Sequence, residues 1–211
     1  MDHDLWTALG TSEAGLSKLR DFAALAAKWT ARINLIAKST LPDLWSRHIE
    51  DSARIMLHAP DSPAIWVDFG SGGGFPGIVV AVILADRGQP TRVVLVESDQ
   101  RKATFLREAA RLLDLKVEVR AERAESLEPL AADVISARAM TALDGLCGIV
   151  ARHGAAESLA LFPKGESWRE EVAAARKNWC FDLEAHADPG HNGSAILELR
   201  NLRRASRDAL A

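Results

Sequence analysis

The ten residues Asp68-Phe69-Gly70-Ser71-Gly72-Gly73-Gly74-Phe75-Pro76-Gly77 constrain this chain more than any other stretch. They follow the short run Ile65-Trp66-Val67 and precede an unbroken apolar run from Ile78 to Ala85. That order reads as strand, tight turn, helix. Glycines in such a turn permit positive φ and let a ligand lie against the backbone. The ligand then sits at the carboxyl edge of a sheet, near the switch point of a doubly wound fold.

The choice of ligand follows from what the loop lacks. A dinucleotide fingerprint needs a third glycine where Phe75 stands, and a phosphate loop needs a Gly-Lys-Ser/Thr ending. Gly70, Gly72 and Gly74 instead form G-x-G-x-G behind Asp68. Phosphates favour a helix N-terminus free of carboxylates. S-adenosylmethionine has no phosphate; it carries an amino acid head and a sulfonium cation, which an acid suits. Glu97 ends the next strand, about 20 residues past the glycines, where an acid accepts both ribose hydroxyls. Glu97 alone does not separate S-adenosylmethionine from NAD, and an ordinary strand-end carboxylate would look the same. Ala124-Glu125 follows the third strand, where an adenine would be covered. Glu125 also reads as a helix-start acid.

The rest of the chain supplies the frame. Leu16, Leu19, Phe22, Ala26, Trp29 and Ile33 recur at spacings of three and four, which predicts a helix over 12–33 capped by Ser12. A second helix is predicted over 41–57, opened by a Thr40/Asp43 capping box with Pro42 in its first turn. His48 and Ser52 interrupt its apolar stripe and read as polar residues bonded to their neighbours. Strands are predicted at 65–69, 92–97, 117–120, 133–137, 158–162, 180–186 and 195–200, with helices at 76–86, 99–113, 141–152 and 166–178 between most of them. The alternation implies a mostly parallel sheet covered on both faces. Only the turn at 188–193 separates the last two strands, so they should form an antiparallel hairpin at one edge. The expected architecture is α/β: a doubly wound, mostly parallel seven-stranded sheet with that hairpin, the class I methyltransferase arrangement. Residues 1–58 are expected to form an N-terminal helical cap and 59–211 the cofactor-binding domain, packed as one unit.

Composition narrows the partners. Twenty-six Lys and Arg against 29 Asp and Glu give a net charge of −3, so arbitrary polyanions should not bind tightly. Cys147 and Cys180 show no metal-ligand spacing and read as buried thiols in a cytoplasmic protein. No metal is expected. The N-terminus is acidic and not a signal peptide, and the 78–85 run is too short to span a bilayer, so no membrane is expected either.

The loop with its Phe-Pro-Gly ending resembles the glucose-inhibited division protein B family, the 16S ribosomal RNA guanine-N7 methyltransferases. Asn34-Leu35, Arg47-His48-Ile49 with Asp51-Ser52, Lys102 with Phe105-Leu106-Arg107, Ser136-Ala137-Arg138-Ala139 and Phe162-Pro163-Lys164-Gly165 are similar to further elements of that family, over about residues 30–200. The resemblance implies S-adenosylmethionine as cofactor, lined by Gly70 and Phe75, with Ala124 and Glu125 flanking its adenine and Arg138 at the edge of the site; the reading of the loop and strand end adds Asp68, Gly72 and Glu97 to the expected cofactor-binding residues. It implies that Arg138 faces the substrate, that Asn34, Arg47 and His48 belong to a cap over the site, and that Arg47, His48 and Lys164 are RNA contacts. The implied partner is 16S ribosomal RNA within a small-subunit particle. Two departures stand out: Ile36 where the family often has Thr, and Gly193-Ser194-Ala195 where it usually has an Arg in the final hairpin.

No Ser/His/Asp or Cys/His set is recognisable, and the chain has no Tyr. That agrees with transfer to guanine N7, whose lone pair carries no proton and needs no general base. Arg138 is the expected polar clamp, on O6 or a phosphate; a salt bridge to Asp68 or Glu125 is its structural alternative. Arg101, Lys102, Arg107 and Arg111 read as a solvated helix face, and Arg200, Arg203, Arg204 and Arg207 as a basic patch. Competing functions are an NAD-linked oxidoreductase, a non-catalytic RNA-binding assembly factor, and a methyltransferase acting on another RNA, a protein or a small molecule.

Overall fold

A computed structural model describes residues 1–187 and 193–205. The chain runs α1 (His3–Ala8), α2 (Glu13–Thr30), a π-helical turn (Trp45–Glu50) leading into the short α3 (Asp51–Arg54), β1 (Ile65–Phe69), α4 (Gly77–Asp86), β2 (Arg92–Val96), α5 (Gln100–Leu112), β3 (Val117–Arg120), β4 (Ala132–Ala137), α6 (Leu143–His153), β5 (Gly154–Lys164), α7 (Trp168–Ala175), β6 (Trp179–Ala187) and β7 (Ala195–Arg204). The strands form one sheet in the order β3-β2-β1-β4-β5-β7-β6. Strands β1 to β5 pair in parallel. Strand β7 runs antiparallel to both of its neighbours. The expected hairpin is therefore present, but β7 is inserted beside β5 and β6 forms the edge. Apolar residues facing both ways along β7, with Ile196, Leu197 and Leu199 all buried, fit an interior strand.

Side-chain alternation divides the core between the two faces of the sheet. Trp66, Val93, Leu95, Leu159 and Leu161 join α1, α2, α4 and α5 in one cluster. Val67, Val94, Val96, Ala160 and Phe162 join α6 and α7 in the other. Leu5, Leu9, Leu19 and Phe22 from the N-terminal helices lie in the same cluster as Ile78 and Val82 of α4. Polar ties reinforce this contact: the Ser12 hydroxyl donates to Asp86 at 2.5 Å, and Arg87 donates to the Leu9 carbonyl at 2.6 Å.

Two helix starts follow the sequence closely. The Ser12 side chain accepts from the Gly15 amide, and the Asp99 side chain accepts from Arg101 and Lys102. The predicted helix over 41–57 is a correction. Residues Lys38–Thr40 form a 3-10 turn, the π turn follows, and a further 3-10 turn closes at Ile55–Leu57. The capping box does not form: the Asp43 amide bonds to the Thr40 carbonyl and the Thr40 amide to that of Ala37, while the Thr40 hydroxyl also donates to the Ala37 carbonyl at 2.8 Å. The turn at 188–192 and Arg207 lie outside the described residues.

Candidate active site

Strand β1 ends at Phe69, and the chain turns through Gly70 and Gly72 at φ +64° and +52°. The loop is braced from below and from the side. Asp68, wholly buried, accepts from the Ser136 hydroxyl at 2.7 Å, while Ser136 accepts from Trp66 Nε1 at 2.9 Å. The Ser71 hydroxyl returns to the Asp68 carbonyl at 2.8 Å. Burial pushes the Asp68 carboxyl up to about 6, against the lowering pull of those hydrogen bonds. From the side, Glu97 accepts from the Gly72 amide at 2.8 Å and from the Asp99 amide at 2.7 Å. One carboxylate thus ties the glycine loop to the start of α5.

A cleft of about 350 Å³ opens above the loop. Gly70, Gly72, Gly73 and Phe75 line it with Val96 and Glu97, as do Ala124, Glu125, Arg138 and Met140, and Leu35 and Lys102 also reach it. The Ala124 carbonyl accepts from His153 Nε2 at 2.9 Å, so a buried histidine of α6 fixes that wall. Phe75 is nearly buried; its ring lies 5.1 Å from those of Phe22 and His48. The Arg138 guanidinium stands 5.6 Å from the centre of the same ring.

Arg138 directly follows β4 and separates two cavities. The second, of about 680 Å³, shares Arg138, Ala139 and Met140 with the first and adds Asp51, Thr141, Lys164, Glu171 and Ser194. Arg138 Nη1 donates to the Arg47 carbonyl at 3.1 Å, and Nη2 donates to His48 Nδ1 at 2.6 Å. No salt bridge joins Arg138 to Asp68 or Glu125 among the described residues. The carboxylates of Asp51 and Asp68 raise its pKa, but burial outweighs them and lowers it. Lys164 Nζ donates to Glu171 at 2.8 Å and to the Thr141 carbonyl at 3.0 Å.

A family model described as rRNA small subunit methyltransferase G matches residues 15–192. The chain belongs to this family. The ribosomal RNA small subunit methyltransferase G of Cereibacter sphaeroides is 47% identical over 202 residues, covering 96% of this chain and 98% of the relative. That of Ruegeria pomeroyi is 44% identical over 196 residues, covering 93% and 96%. Among solved structures, a SAM dependent methyltransferase from Aquifex aeolicus superimposes with a TM-score of 0.58 at 11% identity, over 76% of this chain and 93% of that one. M. jannaschii TYW2 in complex with AdoMet gives 0.56 at 16%, over 77% and 78%. These two likenesses establish the class I methyltransferase fold. Family membership makes the chain an S-adenosylmethionine-dependent rRNA methyltransferase.

The cleft walls fit that cofactor. A Cβ on Gly70 would come within 2.8 Å of the Met140 side chain, so the loop leaves its space only when this residue is glycine. Glu97 has about four lone-pair sites. The two backbone amides occupy some of them and leave others for ribose hydroxyls. Of the expected cofactor residues, Gly70, Gly72, Phe75, Glu97, Ala124, Glu125 and Arg138 line the cleft. Asp68 does not; it lies beneath the loop. Arg47 is exposed on the π turn, and both ring nitrogens of His48 are engaged within the chain.

On α5 the solvated-face reading holds for Arg101, paired with Asp99, and for Arg111, paired with Glu108. Lys102 instead lines the cleft above the glycine loop. Arg200 pairs with Glu198, and the Arg204 guanidinium lies 4.0 Å over the Trp179 ring. Ile36 is buried in the core, and Ser194 faces the second cavity. His58, His186 and Glu198 bring possible ligand atoms within 4.8 Å. The two imidazoles stack 3.6 Å apart at 12°, so their lone pairs run side by side and do not converge. No helix among the described residues is long and apolar enough to cross a membrane. Sequence reasoning missed His153, Leu35 and Met140 as parts of the site, because each acts through contacts remote in sequence.

Proposed function

We infer that this chain transfers the methyl group of S-adenosylmethionine to N7 of a specific guanine in 16S ribosomal RNA, presented by a small-subunit particle in the cytoplasm. The observation that carries this reading is the position of Arg138, shared by the cofactor cleft and the second cavity. When bound, the cofactor supplies an electrophilic methyl on a sulfonium. The protein's task is to hold a nucleophile in line with it. Guanine N7 presents an in-plane lone pair and loses no proton, so no general base is required. Proximity and orientation supply up to roughly 7–11 kcal/mol for a well-aligned pair.

The residues divide that task. Glu97 and the Ala124 wall orient the cofactor's sugar and base. Asp68 and Ser71 hold the glycine loop in shape from below. Phe75, packed against Phe22 and His48, keeps water from the junction of the cavities. Arg138 donates to guanine O6 or to a phosphate, leaving N7 free. Arg47 on the exposed cap is an RNA contact; Lys164 lines the guanine side, its ammonium shared with Glu171. With a net charge of −3, folded RNA and protein presenting one loop suit this enzyme better than naked RNA.

The test is calorimetry followed by transfer. S-adenosylmethionine should bind and NAD should not. Methyl should reach small subunits from a strain lacking the modification far faster than it reaches protein-free 16S RNA. Equal rates on naked RNA would remove the particle from this reading.

A further inference from the structure

Three hydrogen bonds run in line from the cap to Arg138. An arginine can only donate, so His48 Nδ1, at 2.6 Å from Arg138 Nη2, must be the unprotonated acceptor. The ring proton therefore sits on Nε2, which donates to the Thr40 hydroxyl oxygen at 2.8 Å. Thr40 in turn donates to the Ala37 carbonyl at 2.8 Å. Every donor meets an acceptor, and only one tautomer satisfies the chain. The backbone adds a second acceptor. At the end of the π turn the Asp51 amide bonds to the carbonyls of Ser46 and His48 and passes over that of Arg47, which receives Arg138 Nη1 at 3.1 Å.

We propose that His48, held by Thr40 as its Nε2–H tautomer, is a positioning residue that aims the Arg138 guanidinium at the substrate, and is not itself an RNA contact. The proposal rests on the reading of Arg138 as the group that orients the guanine. Arg138 stands at the junction of two cavities, and among the described residues these hydrogen bonds go to two neutral acceptors and to no carboxylate, so those acceptors set its direction. Two such acceptors leave its other N–H groups to the substrate, whereas a carboxylate clamp would compete for them. Half-burial and the nearby charges of Arg138 and Arg47 keep the imidazole neutral, as an acceptor must be.

The experiment compares His48→Phe, His48→Asn, Thr40→Val, Thr40→Ser and Arg138→Ala in methyl transfer to unmodified small subunits. Calorimetry with S-adenosylhomocysteine checks the fold of each variant. Phenylalanine keeps the ring against Phe75 but removes the acceptor; asparagine places an oxygen near the position of Nδ1. The expected result is a loss of at least about tenfold in kcat for His48→Phe, with cofactor affinity unchanged. His48→Asn should recover most of that loss. Thr40→Val should lose activity and Thr40→Ser keep it. His48→Phe combined with Arg138→Ala should be no worse than Arg138→Ala alone. Full activity of His48→Phe beside an inactive Arg138→Ala would overturn the proposal and spare the reading of Arg138. So would a His48→Asn variant as inactive as His48→Phe. Full activity of Arg138→Ala would overturn the reading of Arg138, and the proposal with it.

Discussion

Glu97 holds the Gly72 amide at 2.8 Å while lining the cleft that the same loop walls. One side chain therefore both shapes the loop and faces the cleft. Glu97→Ala should weaken S-adenosylmethionine binding by at least about tenfold, or about 1.4 kcal/mol. Glu97→Gln should fall between the two, since its carbonyl can still accept from Gly72. Calorimetry on the three proteins checks this order. Unchanged affinity in Glu97→Ala would show that loop and ligand are independent of it.

Gly70 and Gly74 carry positive φ, and a Cβ on either meets side chains at under 3 Å, Met140 in the first case and Ile78 and Phe22 in the second. Their alanine variants should differ in kind. Gly74→Ala pushes against the core and should lower stability by roughly 1–3 kcal/mol. Gly70→Ala pushes against the exposed end of Met140, so its larger effect should be on cofactor affinity. Denaturant unfolding and calorimetry together separate the two.

Asp68 gives a pH signature. Burial raises its folded pKa to about 6, above the ordinary carboxylate value, so its favourable contribution is present below the unfolded pKa and is lost as pH rises through about 6. The size is at most about 3 kcal/mol. His48, His58 and His153 have the opposite sign, because burial lowers their pKa values. They stabilise above the unfolded value of 6.5, and that stability is lost as pH falls. In the native chain Asp68 offsets part of the histidine loss. Asp68→Asn removes the offset, so its unfolding free energy should drop more steeply between pH 6.5 and 4 than that of the native chain. Parallel curves would contradict the assignment.

Binding to small subunits should weaken steeply with salt. Exposed Arg47 and Arg203 are candidates for phosphate contacts, whereas Arg101, Arg111 and Arg200 are neutralised by neighbouring acids. A log–log slope near −2 or steeper fits a few phosphate contacts. A flat response would place recognition on the base alone.

The strand–turn–helix unit around residues 65–86 was legible because the glycines and the apolar runs act locally. Ser12 and Asp99 were legible as caps for the same reason. The segment after Thr40 was not. Its apolar spacing fits an ordinary helix, and nothing local shows that Thr40 is drawn to Ala37 and His48 or that the backbone widens to a π turn. The insertion of β7 between β5 and β6 was likewise hidden, because the sequence gives a hairpin's pairing and not which strand docks on the sheet. His153 reads as the end of a helix; only the fold brings it beneath Ala124. The Arg138 site was found by resemblance, and its acceptors, Arg47 and His48, lie some 90 residues away.

The most direct test maps the methyl group itself. Small subunits from a strain lacking this gene are incubated with the protein and labelled S-adenosylmethionine. The 16S RNA is then reduced with borohydride and cleaved with aniline, which breaks the chain at N7-methylguanosine. The account predicts label and cleavage at one guanine, both lost with Arg138→Ala. Label that resists cleavage, or that spreads over many positions, would contradict it.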